Sequence, residues 1–162
     1  MTEIRALINH RSSWKENKKT VVFTNGVFDI LHRGHIEYLN AAKALGDILI
    51  IGLNSDESVR RLKGNLRPIV PMPDRLFVLE NIKAVDHVVP FNEDTPLELI
   101  KALDPDILVK GGDYTIETIV GAEFVLANGG SVMPLPFIKG KSSTSILDII
   151  INRYNKLGNR ND

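Results

Sequence analysis

The chain has 162 residues, room for one domain with a real core and hardly for two, and 43% of them are hydrophobic against 25% charged. Twenty Lys+Arg balance twenty Asp+Glu, which argues against a nucleic-acid coat protein or a polybasic membrane binder but allows a local basic pocket for a phosphorylated metabolite. Cysteine is absent, which excludes disulfides, zinc-thiolate sites, iron–sulfur clusters and a Cys nucleophile.

Short β-branched runs alternate with longer helical ones. A leading helix is predicted over about Glu3 to Lys15, with Ile4, Leu7 and Ile8 on one face. Thr20 to Thr24 reads as a first strand, apolar throughout as a strand covered on both faces should be, and Asn25-Gly26 breaks it. A loop to His32 leads into a helix from about Gly34 to Leu45, with Gly46 placed to end it in the left-handed conformation. Asp47 to Leu53 is the second strand, and its apolar run is far short of the ~18 residues of a membrane span. Ser55 or Asp56 can cap a short helix through Leu62.

Lys63 to Pro73 holds three prolines and must be loop, followed by a helix over Asp74 to Lys83 with Leu76, Leu79 and Ile82 inward. Asp86 to Pro90 is the third strand, and Thr95-Pro96 starts a helix with Pro at its first position. Asp106 to Lys110 is the fourth strand, Gly111 to Tyr114 a loop, and Glu117 to Ala127 a helix stopped by Asn128-Gly129-Gly130. Ser131 to Leu135 is the fifth strand. The final helix runs from about Ser143 to Lys156 with Ile146, Ile149 and Ile150 inward, and the tail from Gly158 reads as disordered.

Five strands with helical, right-handed crossovers predict an α/β, doubly wound, mainly parallel five-stranded sheet in one domain over 1–162. In such sheets ligands bind beyond the carboxyl ends of strands, where strand order reverses. The chemistry is therefore expected just after strands one, two, four and five. With no apolar secretory core at the N-terminus and no spanning segment, a soluble cytoplasmic protein is expected, with no nucleic-acid or membrane partner.

The loop after the first strand carries His32-Arg33-Gly34-His35. The spacing can put both imidazoles on one side of a helix start, beside free N–H groups and the positive end of the dipole. Gly34 leaves room for a phosphate, and two imidazole donors can follow charge as it builds on a phosphoryl group. The bland alternative is a pair of surface histidines, but such a match arises by chance in roughly one chain of this length in 150. Asp29 can be a metal ligand or a loop cap. The second signal is Ser142-Ser143-Thr144-Ser145 at the last helix, where hydroxyls and N–H groups can bind phosphate and Lys139 or Lys141 can add charge; an ordinary N-cap is the alternative. Gly112 and Asp113 form either a close-approach turn or an Asx-type turn. Lys63, Arg67 and Arg75 can clamp a polyphosphate or be solvated charge. Trp14, Phe23 and Phe28 read as packing residues. No P-loop, dinucleotide glycine loop, H-E-x-x-H site or G-x-S-x-G elbow occurs.

The run from Val22 to His35 together with Ser142-Ser143-Thr144 resembles the cytidylyltransferase-like nucleotidyltransferases. Asn54-Ser55-Asp56, Arg61-Leu62-Lys63-Gly64 with Arg67-Pro68, Glu93-Asp94-Thr95-Pro96, Val109 to Tyr114 and Ala127 to Gly130 resemble the branch that adenylylates D-glycero-β-D-manno-heptose 1-phosphate. The likeness covers about Val21 to Ile150. It implies a Rossmann-like fold and AMP transfer from ATP to a sugar 1-phosphate, with Mg²⁺ bridging phosphate oxygens and metal ligands unknown. It also implies a stand-alone form of an activity often fused to a sugar kinase. Exposed apolar positions in the α/β elements allow a homodimer. By residue, the likeness implies that His32, His35 and Lys63 are catalytic. Phe23, Thr24, Asn25, Gly26, Phe28, Gly34, Gly112, Asp113, Ser142, Ser143 and Thr144 would bind nucleotide, and Arg67 and Arg75 substrate phosphate. Two departures bear on the branch. Phe137-Ile138-Lys139-Gly140 stands where glycerol 3-phosphate cytidylyltransferases carry Arg-Thr-Glu-Gly, and Ser-Ser-Thr-Ser stands where heptose enzymes often show Ser-Thr-Thr-Asn. Other members of the superfamily, acting on glycerol 3-phosphate, FMN or phosphopantetheine, stay open as alternatives, as does a nucleotide-binding regulator without turnover.

Overall fold

The computed structural model describes residues 2–136, 140 and 142–158. In chain order the elements are α1 (Thr2–Glu16), β1 (Val21–Gly26), α2 (Arg33–Lys43), β2 (Ile48–Asn54), α3 (Asp56–Lys63), α4 (Met72–Glu80), β3 (His87–Phe91), α5 (Leu97–Leu103), β4 (Ile107–Gly111), α6 (Ala122–Ala127), β5 (Ser131–Leu135) and α7 (Ser143–Gly158). The five strands form one sheet in the order β3-β2-β1-β4-β5. Every pairing is parallel, with Val21 opposite Ile48 and Phe23 opposite Leu108. The order reverses between β1 and β4, which opens a crevice there at the carboxyl ends.

Alternation along the buried strands feeds two cores. Val21, Phe23, Ile50, Val89 and Leu108 join Leu7 of α1, Leu99 and Leu103 of α5 and Val125 of α6 on one face. Val22, Leu49, Ile51 and Val109 join Tyr38, Leu39 and Ala42 of α2 and Leu79 of α4 on the other. At the opposite edge of the sheet, three aspartates tie strand starts together. Thr20, Leu49 and Val21 donate their N–H groups to Asp47, Asp86 and Asp106 at 2.9, 2.6 and 2.7 Å. These carboxylates thus sit at the amino end, away from the crevice.

Gly46 does not end α2 in the left-handed region; the helix ends at Ala44 in right-handed geometry. Gly46 is required for packing instead, since a Cβ there would lie 2.7 Å from Val22 Cγ2 and 2.8 Å from Thr20 O. Gly46→Ala is expected to cost about 1–3 kcal/mol in urea denaturation, as other overpacked sites do; an unchanged midpoint would show that the β1–α2 junction yields freely. The helix expected over Glu117 to Ala127 is broken: a 3₁₀ turn at Ile116–Thr118 is followed by Gly121 at φ 87°, and α6 starts only at Ala122. Pro96 caps α5 rather than entering it, and α4 begins at Met72. Ile149 and Ile150 are exposed, not inward, and Ile8 is exposed although Leu7 beside it is buried. The predicted tail beyond Gly158 and Lys139 and Lys141 lie outside the described residues.

Candidate active site

A cleft of about 610 Å³ opens at the carboxyl edge of the sheet. Its walls come from the segments after all five strands, one more than expected, because Asp94, Thr95 and Pro96 after β3 also face it.

β1 ends in Asn25-Gly26, and the chain then turns at Phe28, a left-handed residue at φ 48°. Gly26 permits that turn, since a Cβ there would lie 2.9 Å from Phe28 Cε2. The buried Phe28 ring in turn backs the His35 ring, centroid to centroid 5.6 Å. His32 caps α2: Gly34 N–H donates to His32 Nδ1 at 3.1 Å, and His32 N–H donates to His35 Nδ1 at 3.4 Å. An Nδ1 that accepts from a backbone N–H carries no proton, so each neutral ring holds its hydrogen on Nε2. The backbone therefore fixes both tautomers, and each far ring edge becomes a donor. The rings lie 4.0 Å apart, tilted by 30°.

Burial, with the neighbouring His32 adding to it, pulls the His35 imidazole from its ordinary value near 6.5 down to about 4. His35 is thus a neutral donor across the physiological range. This has a consequence for stability. As pH falls below about 6.5 the unfolded chain takes up the His35 proton first, and the folded chain does so only near 4. The contribution is therefore complete above the unfolded value and is lost as pH drops through this window. Urea midpoints should decline between these pH values in the wild type and decline less in His35→Asn; parallel profiles would count against the buried, neutral ring.

Ser142, Ser143 and Thr144 line the same cleft. Part of the cluster is indeed capping: Ser145 N–H donates to Ser142 Oγ at 3.0 Å and Ser142 N–H to Ser145 Oγ at 3.1 Å. Ser143 Oγ donates to Ile30 O at 3.2 Å, which docks the start of α7 on the histidine loop. Thr144 makes no side-chain hydrogen bond among the described residues. The N-termini of α2 and α7 therefore open on one space, the arrangement that favours an anion.

Of the other sequence candidates, Asn25, Gly26, Phe28, Gly34, Lys63 and Arg67 line the cleft. Phe23 and Thr24 do not: Phe23 is fully buried in the core, and Thr24 Oγ1 shares a 2.5 Å hydrogen bond with Tyr38 OH. Gly112 and Asp113 also stay outside the lining, whereas Gly111 and Tyr114 beside them are part of it. Arg75 faces away. It is 1% exposed, and its guanidinium is taken up by Val70 O, Val27 O and Asp56. Asp29 is the loop cap, not a metal ligand. Its buried carboxylate accepts from Ile69 N–H and Val70 N–H and lies 2.8 Å from Arg67 Nε. No group of three His, Asp or Glu that could hold a metal occurs among the described residues. These residues do not fit a protein-held metal.

The residues that sequence reasoning missed are Tyr38, Asn54, Asp94, Thr95, Lys110 and Tyr114. Tyr38 lies on α2 three residues after His35, and burial pushes its phenol up to about 12, so it stays a neutral O–H that pins α2 to β1. Lys110 was legible only as the last residue of a strand whose carboxyl end faces the crevice.

A doubly wound parallel sheet, with imidazole donors and a hydroxyl cluster at two helix N-termini over its switch point, defines a nucleotidyltransferase-type domain. A family model described as Cytidylyltransferase-like matches residues 23–147, and the chain belongs to that family. The Bifunctional protein HldE of Syntrophotalea carbinolica is 55% identical over 136 residues, covering 84% of this chain and 28% of that protein. Its namesake from Marinomonas sp. is 59% identical over 132 residues, covering 82% and 28%. The chain thus spans under a third of the length of these curated relatives. The crystal structure of the lipopolysaccharide core biosynthesis protein from Thermoplasma volcanium superposes with a TM-score of 0.60 at 32% identity, over 76% of this chain and 99% of that one.

Proposed function

We propose that the chain, acting as one nucleotidyltransferase domain, transfers AMP from ATP to D-glycero-β-D-manno-heptose 1-phosphate. The observation that carries this reading is the tautomer-fixed His32–His35 pair at the start of α2, facing the hydroxyls of α7 across one cleft. An oxygen of the sugar phosphate attacks the α-phosphorus of ATP. The bond from that phosphorus to the α,β-bridging oxygen breaks, and pyrophosphate leaves with the electron pair. The nucleophile is already an anion, so no general base is needed. The protein's work is positioning and stabilisation of charge. His32 and His35 donate from Nε2 to phosphoryl oxygens, and the hydroxyls and N–H groups at α7 hold the polyphosphate. Lys63 neutralises charge, and Mg²⁺ carried by the ATP phosphates would supply further charge neutralisation. The heptose assignment is supported by the sequence motifs of that branch, by relatives named HldE and by the likeness to a lipopolysaccharide core biosynthesis protein.

The reading places the reaction in the cytoplasm; no helix among the described residues is long and apolar enough to cross a membrane. A homodimer belongs to the same reading, supported by the exposed apolar side chains Ile149, Ile150, Ile151 and Tyr154 of α7.

The test is pyrophosphate release with Mg²⁺, pairing ATP or CTP with heptose 1-phosphate, glycerol 3-phosphate, FMN and phosphopantetheine. Release with ATP and heptose 1-phosphate alone is expected. Release with a different pair would discard the sugar assignment and keep the reaction class, and ATP binding without release for any acceptor would favour a regulator.

A further inference from the structure

The carboxylates that line the cleft already have cationic partners. Asp29 lies 2.8 Å from Arg67, and Asp94 lies 2.6 Å from Arg61. The two lysines that line it have none: among the described residues no carboxylate pairs with Lys63 or Lys110. Lys110 is the more constrained of the two. It stands near the end of β4, beside β1 at the switch point, and is only partly exposed. Its Nζ donates to Asn25 Oδ1 at 3.0 Å and reaches Asn25 O at 3.5 Å, and it sits 5.8 Å from the centre of the Tyr114 ring. Amide oxygens solvate an ammonium without neutralising it. The remaining titratable groups of the cleft do not supply a counter-charge either. His32 and His35 accept at Nδ1 from the backbone and, as imidazoles, carry no negative charge, and Tyr38 keeps its proton. A half-buried ammonium held in place without a counter-ion is a site made for an incoming anion.

The direction from which it is held says which anion. The histidines and the α7 hydroxyls already gather around the two helix N-termini, where a polyphosphate is bound. Lys110 comes from β4, with Lys63 reaching the same space from the end of α3. In-line displacement puts nucleophile and leaving group on opposite sides of the phosphorus. An anionic nucleophile approaching an anionic phosphate needs a cation on its own side. We infer that Lys110, steadied by Asn25 and helped by Lys63, binds the phosphate of the acceptor and presents its oxygen to the α-phosphorus of ATP. This rests on the adenylyl-transfer reading above. Burial, with the Lys63 charge adding to it, lowers the Lys110 ammonium from its ordinary value, so the anion it binds restores a proton that the empty site holds less firmly.

The experiment compares wild type with Lys110→Met and Lys110→Arg. Lys110→Met should lower kcat/KM for the sugar phosphate by about 10- to 100-fold, the worth of one hydrogen bond to a charged group, while ATP affinity by calorimetry stays within about twofold. Lys110→Arg should recover part of the loss and carry the alkaline fall of kcat/KM to higher pH. A second measurement needs no turnover. Lysines are labelled by reductive ¹³C-methylation, and the Lys110 signal is identified by its absence from Lys110→Arg. Mannose 1-phosphate, used as the probe, should shift that signal and raise its titration midpoint, and ATP alone should not. A response to ATP but not to the sugar phosphate would overturn the inference and make Lys110 a nucleotide ligand. No response to either, with unchanged kinetics, would leave it a structural lysine. A wild type that fails to turn over heptose 1-phosphate while Lys110 still answers to the sugar phosphate would sink the heptose reading and keep this site.

Discussion

His35→Ala will lower kcat for adenylyl transfer by about 10²–10³-fold, the usual effect of deleting one preorganised donor to a developing oxyanion, and will leave the KM for ATP within a few-fold. His32 N–H occupies His35 Nδ1, so the ring has one donor, Nε2–H, and one rotamer that keeps it. Phe28 and the His32 ring both pack against it, which limits reorganisation at the moment charge builds on the phosphoryl oxygens. Because the ring is neutral down to about 4, the loss is that of a hydrogen bond and not of a formal charge. Two corollaries separate this from a general acid. The wild-type pH–rate profile should carry no acid limb near 6.5 from His35, and His35→Gln, whose amide nitrogen can stand near the lost Nε2, should recover part of the rate. His32→Ala should cost a similar factor in kcat but also about 1 kcal/mol of stability, since His32 is the α2 cap. Wild-type turnover in His35→Ala would remove the imidazole pair from the mechanism.

What the sequence made legible follows from how local each signal is. Strands such as β1 and β2 are short runs whose burial on both faces shows directly in composition, so a parallel sheet with its chemistry at the carboxyl ends could be read, though not its strand order. His32 and His35 were legible because one helix turn brings them together and the strand before them aims that turn at the crevice. The contact between Lys110 and Asn25 was not, because 85 residues separate them and only the β1–β4 pairing makes them neighbours. The break before α6 did leave a local signal, the β-branched run Thr118-Ile119-Val120 ahead of Gly121. That glycine is packed against Ile100 of α5, where an added Cβ would lie 2.7 Å from Cδ1, a tertiary fact with no trace in periodicity. The serine cluster was ambiguous in sequence and is dual in structure, because a hydroxyl that caps a helix is also at the place where a helix attracts an anion.

Arg75 is the residue for which the structural and the sequence readings predict opposite experiments. A phosphate ligand on the surface of α4 would, when removed, raise a KM and leave stability alone. The buried Arg75 is instead the knot of three loops around the cleft. Its Nε donates to Val70 O at 2.9 Å, one terminal nitrogen to Val27 O at 2.5 Å, and the other to Asp56 at 2.7 Å. Those partners belong to the proline-rich loop, the histidine loop and the start of α3. Arg75→Met therefore strands a carboxylate and two carbonyls, and breaking a buried pair by removing one partner costs about 3–5 kcal/mol. Asp56 keeps 26% of its side-chain exposure, which places the expected loss in urea denaturation toward the lower end of that range. Arg75→Lys should recover only a fraction, because one ammonium cannot span three acceptors set out for a planar fork. Adding Asp56→Asn to Arg75→Met should give back about 1–2 kcal/mol, since neighbours that share an interaction do not add, and that coupling is what a solvated surface arginine would never produce. The catalytic consequence follows from the same geometry. With Arg75 gone, Val27 and Val70 lose their common anchor, and the hydrogen bonds of Asp29 remain to hold the two loops together. Turnover should then fall through misplacement of His32 and Lys63, with a matching loss of stability. An Arg75→Met protein as stable as wild type, with only a raised KM for a phosphorylated substrate, would return this arginine to the cleft.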